Sequence, residues 1–220
     1  MTQPAADGFL QAWLNSFTAL SGWEIAATLL GMGYILFAIR QSVWAWPCAF
    51  FSTLIYTLLF WQGQLPLQAA LNAYYLMMAL YGFWLWRQPA TPDAEARSGV
   101  TVHTKPWYFH LLYLACGFGV TFTLGGFLEN GAHSRLPYLD AGVMVFSVMN
   151  TFLMARKVLE NWLYWLVINS AAIVLYWQTG YYVTLVMFVL YFGLAIVGYR
   201  EWRQAWQNSS NHSDPPRFHD

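Results

Sequence analysis

The tripeptide Trp86-Arg87-Gln88 recurs as Trp202-Arg203-Gln204, 116 residues further along the chain. At this offset the segment 24–88 aligns without gaps with 140–204, and Glu24 falls on Asp140. Other distinctive residues stay in register: Arg40 with Arg156, Trp46 with Trp162, Trp61-Gln62 with Trp177-Gln178, Tyr75 with Tyr191 and Gly82 with Gly198. Leu and Ala coincide easily by chance, whereas three tryptophan pairs and two arginine pairs at one offset indicate a duplicated unit.

The composition is typical of a protein that lies in a lipid bilayer. The chain is 58% hydrophobic and 9% charged, whereas a soluble domain has about 25% charged residues. Apolar stretches near the length needed to cross a hydrocarbon core of about 30 Å lie at approximately 24–39, 42–62, 66–87, 107–128, 138–155, 159–178 and 181–200. The sequence therefore predicts an all-α integral membrane protein with seven transmembrane helices.

The positive charges predict the orientation of these helices. Nine of the ten Lys and Arg residues lie on one side of a seven-helix path, and Arg135 alone lies on the other. Because short loops rich in Lys and Arg stay in the cytoplasm, we expect the N-terminus outside and the C-terminus inside. The lead-in 1–23 then lies on the outer side, as an interfacial helix or an unstructured segment, the single transmembrane domain spans 24–203, and 204–220 form a cytoplasmic tail.

The repeat and the topology together predict the architecture. Repeat 1 (24–88) and repeat 2 (138–203) each hold three helices, and the connector helix 107–128 lets both repeats enter the membrane from the same side. Parallel repeats are a recurring plan of transporters, with the substrate near the bilayer midplane. We therefore expect a 3+1+3 parallel-repeat (SWEET-like) arrangement. The alternative is a duplicated membrane scaffold without transport.

Polar side chains within the predicted helices indicate where a site would lie, because each costs free energy in hydrocarbon unless it faces protein or water. They form stripes at helical spacing. The candidate substrate-binding residues are Trp162, Trp165 and Asn169 on the sixth helix, Gln68, Asn72 and Tyr75 on the third, and Ser147 and Asn150 on the fifth, with Asp140 as a candidate gate.

These stripes favour a particular class of solute. Aromatic faces stack on flat rings and attract cations, and amides both donate to and accept from hydroxyls and carboxamides. The helix interiors contain no Lys or Arg, so a neutral or cationic, ring-bearing, hydroxylated small molecule fits best. Other interpretations remain open. Trp162 and Trp165 could be interfacial residues, Asn150 and Asn169 could be helix–helix contacts, and Asp140 could cap its helix or couple transport to protons.

Other functional classes find little support in the sequence. The lysines, Lys105 and Lys157, fall in predicted loops, where neither could form a retinal Schiff base. The five histidines are scattered over loops, helix ends and the tail, and no metalloenzyme or nucleophile motif is present. We therefore predict no enzyme activity, cofactor, metal or nucleic-acid partner, and a small molecule and the lipid bilayer as partners.

Three segments resemble the PnuC family of vitamin transporters. Arg156-Lys157 followed by Glu160-Asn161-Trp162-Leu163-Tyr164-Trp165 and Asn169 is similar to the family's RK..ENW..W signature. Tyr81-Gly82-Phe83-Trp84-Leu85-Trp86 resembles the end of its third helix, and Gly198-Tyr199-Arg200-Glu201-Trp202 its final GYREW. The similarity extends over nearly the whole chain, from Glu24 to Trp202.

The resemblance implies a SWEET-like fold, a homotrimer in the bacterial inner membrane, and inward facilitated diffusion of nicotinamide riboside that is trapped by phosphorylation inside the cell. It places Trp162, Trp165 and Asn169 at the base-binding end of the site. One position departs from the family pattern, since Asn72 stands where Gln is usual, with Gln68 one turn earlier. Thiamine or another ring-bearing vitamin therefore remains an alternative substrate.

Overall fold

The computed structural model describes residues 21–88, 100–131 and 136–211. The predicted lead-in up to residue 20, most of the loop after the third helix and the tail beyond residue 211 lie outside these ranges. Within them the regular elements are seven helices: α1 Gly22–Ile39, α2 Ala45–Gln62, α3 Pro66–Trp86, α4 Trp107–Gly131, α5 Pro137–Ala155, α6 Asn161–Thr179 and α7 Tyr182–Asn211.

Local sequence accounts for several helix ends. Ser21 and Glu24 form a reciprocal capping box at the start of α1, which satisfies N–H groups that a helix leaves unpaired. Pro66 and Pro137 begin α3 and α5, at the first turn, where proline removes no helical hydrogen bond. Each predicted transmembrane stretch is thus a helix in the structure, with α7 continuing beyond the predicted end.

Apolarity alone identifies fewer membrane spans than the sequence predicts. Within the described ranges, four segments are long and apolar enough to cross a membrane: Gly22–Ile39, Trp107–Asn130, Pro137–Ala155 and Thr184–Ser209. The other helices, α2, α3 and α6, are of similar length, but they carry many Trp, Tyr, Asn and Gln residues, which lower their hydropathy. The chain is a multi-pass membrane protein whose more polar helices contain much of the predicted site.

The helices pack in a closed ring. Neighbours along the chain pair within each repeat, α1 with α2 and α2 with α3, and likewise α5 with α6 and α6 with α7. The two groups of three meet through contacts of α3 with α5 and of α1 with α7. The offset of 116 residues relates α1 to α5 and α3 to α7, so the two junctions are equivalent. Outside the ring, α4 packs mainly against α5, and its Tyr113 also contacts Tyr164 of α6, with ring centroids 4.5 Å apart.

A tryptophan ring lies flat against a glycine at equivalent places in the two repeats. A Cβ added to Gly82 would come within 2.3 Å of the Trp46 ring, and one added to Gly198 within 2.6 Å of the Trp162 ring. Since carbon atoms in contact are about 3.5 to 4 Å apart, neither position accommodates a side chain. The repeated glycines found in the sequence therefore serve close packing between α2 and α3 and between α6 and α7.

These rings belong to a cluster of four buried tryptophans that joins the repeats. Trp46 meets Trp86 edge to face at 5.3 Å, and Trp162 meets Trp202 in the same way at 5.4 Å. Trp86 and Trp202 lie 6.2 Å apart across the junction. Their indole N–H groups each donate to a backbone carbonyl of the other repeat, Trp86 to Ala155 at 2.8 Å and Trp202 to Ala38 at 3.0 Å.

The turns between helices also repeat. Gln41 and Lys157, one offset apart, both adopt a left-handed conformation with φ of 53°, although side chains other than glycine rarely do so. Lys157 is 6% exposed and its Nζ lies 4.5 Å from the centroid of the Trp86 ring. Desolvation by burial lowers the pKa of Lys157 from 10.5 to about 8.

The segment before α4 is fastened to the α5–α6 turn. His103 donates to the Lys157 carbonyl at 3.2 Å, and its own carbonyl accepts from Leu159 at 2.8 Å. Nearby, His110 contacts the Tyr164 hydroxyl at 2.8 Å and lies 3.7 Å from the Glu160 carboxylate. These contacts fix the connector to the second repeat.

We predict that alanine at Gly82 or Gly198 destabilises the protein. The added methyl group overlaps a buried indole, and such overpacking costs about 1–3 kcal/mol. The melting temperature of the detergent-solubilised protein measures the effect. Gly193→Ala is the matched control on α7, because nothing lies within 4 Å of a Cβ at that position. Equal melting temperatures in all three variants would contradict the packing argument.

A second prediction concerns the pH dependence of stability at Lys157. Between pH 8 and about 10.5 the unfolded chain keeps this proton while the folded protein releases it, so stability rises with pH. Relative to Lys157→Met, the wild type should gain up to about 3 kcal/mol over this range, since one pKa unit corresponds to about 1.4 kcal/mol. Thermal melts at several pH values test this, with Arg156→Met at the exposed neighbouring residue as control. Parallel profiles for wild type and Lys157→Met would refute it.

Candidate functional site

A cavity of about 290 Å³ lies inside the ring of helices. This volume is just below the range typical of small-molecule sites, about 300–1,000 Å³. All six helices of the ring contribute to its wall, and α4 does not. The lining residues are Gly31, Tyr34, Ile35, Trp46, Ala49, Ser52, Thr53, Tyr75, Ser147, Thr151, Met154, Trp162, Trp165, Asn169, Phe188, Tyr191 and Ala195.

The cavity lies between the two repeats and is shared by them. Twelve of the lining residues form pairs at the offset of 116: Gly31 with Ser147, Ile35 with Thr151, Trp46 with Trp162, Ala49 with Trp165, Thr53 with Asn169, and Tyr75 with Tyr191. Two pairs are identical and four differ. The differing pairs place the larger or more polar side chain on α5 or α6, so the cavity has a polar, aromatic half and a half lined by smaller or apolar residues.

Hydrogen bonding sharpens this asymmetry. In the α1–α2 half, Ser52 donates to the Ala27 carbonyl and Thr53 to the Ala49 carbonyl, both at 2.8 Å. Their hydroxyl protons are therefore engaged by backbone. In the other half Asn169 is 2% exposed, and its amide has no hydrogen bond to any residue of the described ranges. Since a buried amide without partners is costly, Asn169 is available to a bound molecule.

Five of the residues predicted from sequence line the cavity: Trp162, Trp165, Asn169, Tyr75 and Ser147. Trp162 is 2% exposed, so it lies inside the protein and away from the lipid interface. Tyr75 and Ser147 come from different repeats, on helices that meet at the α3–α5 junction. Each of the polar stripes predicted on α3, α5 and α6 thus contributes at least one residue to the cavity wall.

The remaining predicted residues lie outside the cavity wall. The Asn150 side chain is fully buried and donates to the Asn161 carbonyl at 2.9 Å, as expected of a contact between α5 and α6. Asn72 donates to the Gln68 carbonyl within α3 at 3.0 Å, and Gln68 is exposed. Asp140 lies in the first turn of α5 and interacts electrostatically with Tyr176.

The structure adds wall residues that the polar stripes did not indicate. Tyr34 and Phe188 line the cavity, whereas their counterparts one offset away, Asn150 and Asn72, do not. Phe188 also stacks on Tyr176 with centroids 5.3 Å apart, which connects the Asp140 region to the cavity. Tyr191 could have been found from sequence, because it is the counterpart of Tyr75.

No charged side chain lines the cavity among the residues that the structure describes. The Nζ of Lys157 lies 4.5 Å from the Trp86 ring centroid, and Lys157 does not contribute to the wall. Aromatic faces, a free amide and hydroxyls can stack on a flat ring and satisfy its polar groups, and they provide no counter-charge. An uncharged, aromatic cavity at the centre of a helix bundle is the arrangement expected of a small-molecule transporter.

Comparisons with known proteins indicate the same class of protein, a small-molecule transporter. The nicotinamide mononucleotide transporter family matches residues 21–204. The riboflavin/roseoflavin transporter RibM of Streptomyces davaonensis is 27% identical, over 92% of this chain and 96% of that protein. The nicotinamide riboside transporter PnuC of Escherichia coli is 24% identical, over 83% and 85%, and that of Neisseria mucosa is 25% identical, over 87% and 72%.

The fold also matches a solved structure. A crystal structure of the vitamin B3 transporter PnuC aligns with a TM-score of 0.69 and 22% identity, over 91% of this chain and 88% of that one. Because the family match covers most of the chain, the protein belongs to the nicotinamide mononucleotide transporter family, which includes PnuC. The resemblance predicted from the sequence motifs is confirmed.

Proposed function

We propose that the protein carries nicotinamide riboside across the membrane by facilitated diffusion, with one site between the two repeats. The observation that carries this proposal is the cavity enclosed by six helices, with aromatic walls and an unengaged amide at Asn169. A flat ring with a carboxamide matches these features, because stacking and amide–amide hydrogen bonds satisfy both parts of the ligand.

Each wall residue has a role in this proposal. Trp165 stacks on the pyridine ring, Trp162 closes the cavity beside it, and Asn169 bonds to the carboxamide. The hydroxyls of Tyr75 and Ser147 face the ribose. Gln68, Asn72 and Asn150 lie behind the wall, where we assign them to supporting α3 and the α5–α6 contact.

The uncharged wall favours a nucleoside over a nucleotide. A phosphate buried without a cation would have a large desolvation cost, and no Lys or Arg of the described ranges lines the cavity. Aromatic rings attract a cationic pyridinium. The cavity therefore supports nicotinamide riboside as substrate in preference to its 5′-phosphate.

Riboflavin is a second candidate, favoured by a specific observation. The relative named RibM is a riboflavin/roseoflavin transporter, and the match covers 96% of it. Riboflavin also combines a flat ring, amide-like edge groups and a hydroxylated chain. Thiamine or another ring-bearing vitamin is compatible with the same chemistry.

The arrangement in the membrane follows the sequence prediction in this proposal. We expect parallel 3+1+3 repeats in the bacterial inner membrane, assembled as a homotrimer, with phosphorylation inside the cell trapping the solute. The turns bearing Arg40 and Arg156 and the ends bearing Arg87 and Arg203 adjoin the four-tryptophan cluster, which supports a cytoplasmic location of that end. Asp140 would then act as a gate on the outer side.

Binding measurements test the substrate. Purified protein should bind nicotinamide riboside, measured by calorimetry or tryptophan quenching. Trp165→Ala and Asn169→Ala should each weaken binding by roughly ten-fold, since a lost stacking or hydrogen-bonding partner costs on the order of 1–2 kcal/mol. Trp177→Ala is the matched control, because Trp177 is on α6 but 62% exposed.

Unchanged affinity in both cavity variants would return Trp165 and Asn169 to a structural role. Lack of binding of nicotinamide riboside, riboflavin and thiamine by the wild type would favour the scaffold alternative.

Transport measurements test the mechanism separately. A facilitated-diffusion carrier reconstituted in proteoliposomes should bring labelled nicotinamide riboside to equal concentrations on the two sides. An imposed proton or sodium gradient should leave the final level unchanged, because passive transport couples to no second solute. Accumulation above the external concentration would rule out the passive mechanism.

A further inference from the structure

We infer that the α1–α2 half of the cavity is a second ring subsite, and that Ala49 sets the size of the largest ring system the protein accepts. The inference rests on the proposed function, since it concerns the specificity of the same cavity. The half lined by smaller residues would hold the part of a fused ring system that extends beyond the ring bound at Trp165 and Asn169.

The first observation is the difference between the two repeats at one position. Ala49 and Trp165 are equivalent by the offset of 116, and both line the cavity. The ring that Trp165 places in one half has no counterpart in the other. Because Ala49 has only a methyl group where Trp165 has an indole, the wall is set back at this position, and we assign this recess to a flat ring of the ligand.

The walls of this half suit such a group. Tyr34 and Trp46 provide aromatic surface there, with ring centroids 5.9 Å apart and planes tilted by 52°. Gly31 adds no side chain where its counterpart in repeat 2 is Ser147. Ser52 Oγ already lies 3.4 Å from where a Gly31 Cβ would stand, so the room for a ligand ring in this half is beside the Ala49 methyl group.

The polarity of the subsite indicates which edge of a ligand it takes. The hydroxyl protons of Ser52 and Thr53 are engaged by backbone carbonyls at 2.8 Å, so they cannot donate to a ligand. The indole N–H of Trp46 is buried without a partner among the described residues and adds a donor to this half, whereas Asn169, in the opposite half, offers both a donor and an acceptor. A fused ring would therefore place its amide-like edge at Asn169 and its apolar edge beside Ala49.

Two ligand classes then depend differently on Ala49. A single pyridine ring with a ribose is held by the Trp165 half and does not need the recess beside Ala49. A fused tricyclic ring such as that of riboflavin spans both halves. A larger side chain at position 49 should therefore weaken binding of the tricyclic ligand by a larger factor than binding of the monocyclic one.

The experiment compares riboflavin and nicotinamide riboside on the purified full-length protein by calorimetry. Ala49→Trp, which copies the residue of repeat 2, should weaken riboflavin binding by roughly ten-fold or more, since even one misplaced methylene changes specificity by 10-fold or more. Nicotinamide riboside affinity should fall by a smaller factor than riboflavin affinity, and the ratio of the two losses is the readout. Ala49→Leu gives a smaller block should the tryptophan variant not fold.

The matched control is Leu58→Trp, which adds an indole to the same helix at a side chain that is 54% exposed. It should leave both affinities unchanged, and melting temperatures report whether each variant is folded. Equal losses for the two ligands, or unchanged riboflavin affinity in a folded Ala49 variant, would overturn the subsite.

The wild type separates this inference from the proposed function. Binding of nicotinamide riboside without riboflavin would overturn the subsite and leave the proposed substrate intact. Binding of riboflavin alone would overturn nicotinamide riboside as substrate, and the Ala49 variants would still decide the subsite. Binding of neither ligand would overturn both.

Discussion

The contact of a tryptophan ring with a bare glycine backbone, made once in each repeat, is the constraint on which the rest of the bundle depends. The absence of a Cβ at Gly82 and Gly198 lets the rings of Trp46 and Trp162 lie against the neighbouring helix. Each ring then meets the edge of a further tryptophan, whose N–H bonds to the opposite repeat. One close approach thus sets the spacing within a repeat and also the junction between repeats.

The same cluster ends the cavity, which explains why a duplicated frame can hold an unsymmetrical site. Residues that pack backbone against ring have little freedom, because a methyl group more would collide. Residues that face the cavity meet open space. Repeat 1 can therefore have Ala49 where repeat 2 has Trp165, and Thr53 where repeat 2 has Asn169, without disturbing the helix packing. Packing keeps the repeats alike, and the open space allows them to differ where a ligand would bind.

Helical spacing located part of the site and missed part of it for an identifiable reason. Trp165 and Asn169 share a face of α6 with Trp162, and all three line the cavity, so their spacing was sufficient. Asn150 is three residues from Ser147, yet it points to the α5–α6 contact while Ser147 reaches the cavity. Spacing groups residues on one side of a helix, but the packing of its neighbours decides which edge of that side faces the cavity. Aromatic wall residues such as Tyr34 and Phe188 have no sequence feature that distinguishes them from residues of the hydrophobic core.

The sequence by itself determined the membrane environment, the seven helices, the duplicated unit and the family, since these depend on composition, periodicity and motifs that are read along the chain. Tertiary structure decided how the six ring helices close, which aromatic and amide groups share the cavity, and that Lys157 is buried against Trp86. These features depend on distances between residues far apart in sequence. A pattern along one helix contains no information about those distances until close packing has fixed the position of its neighbours.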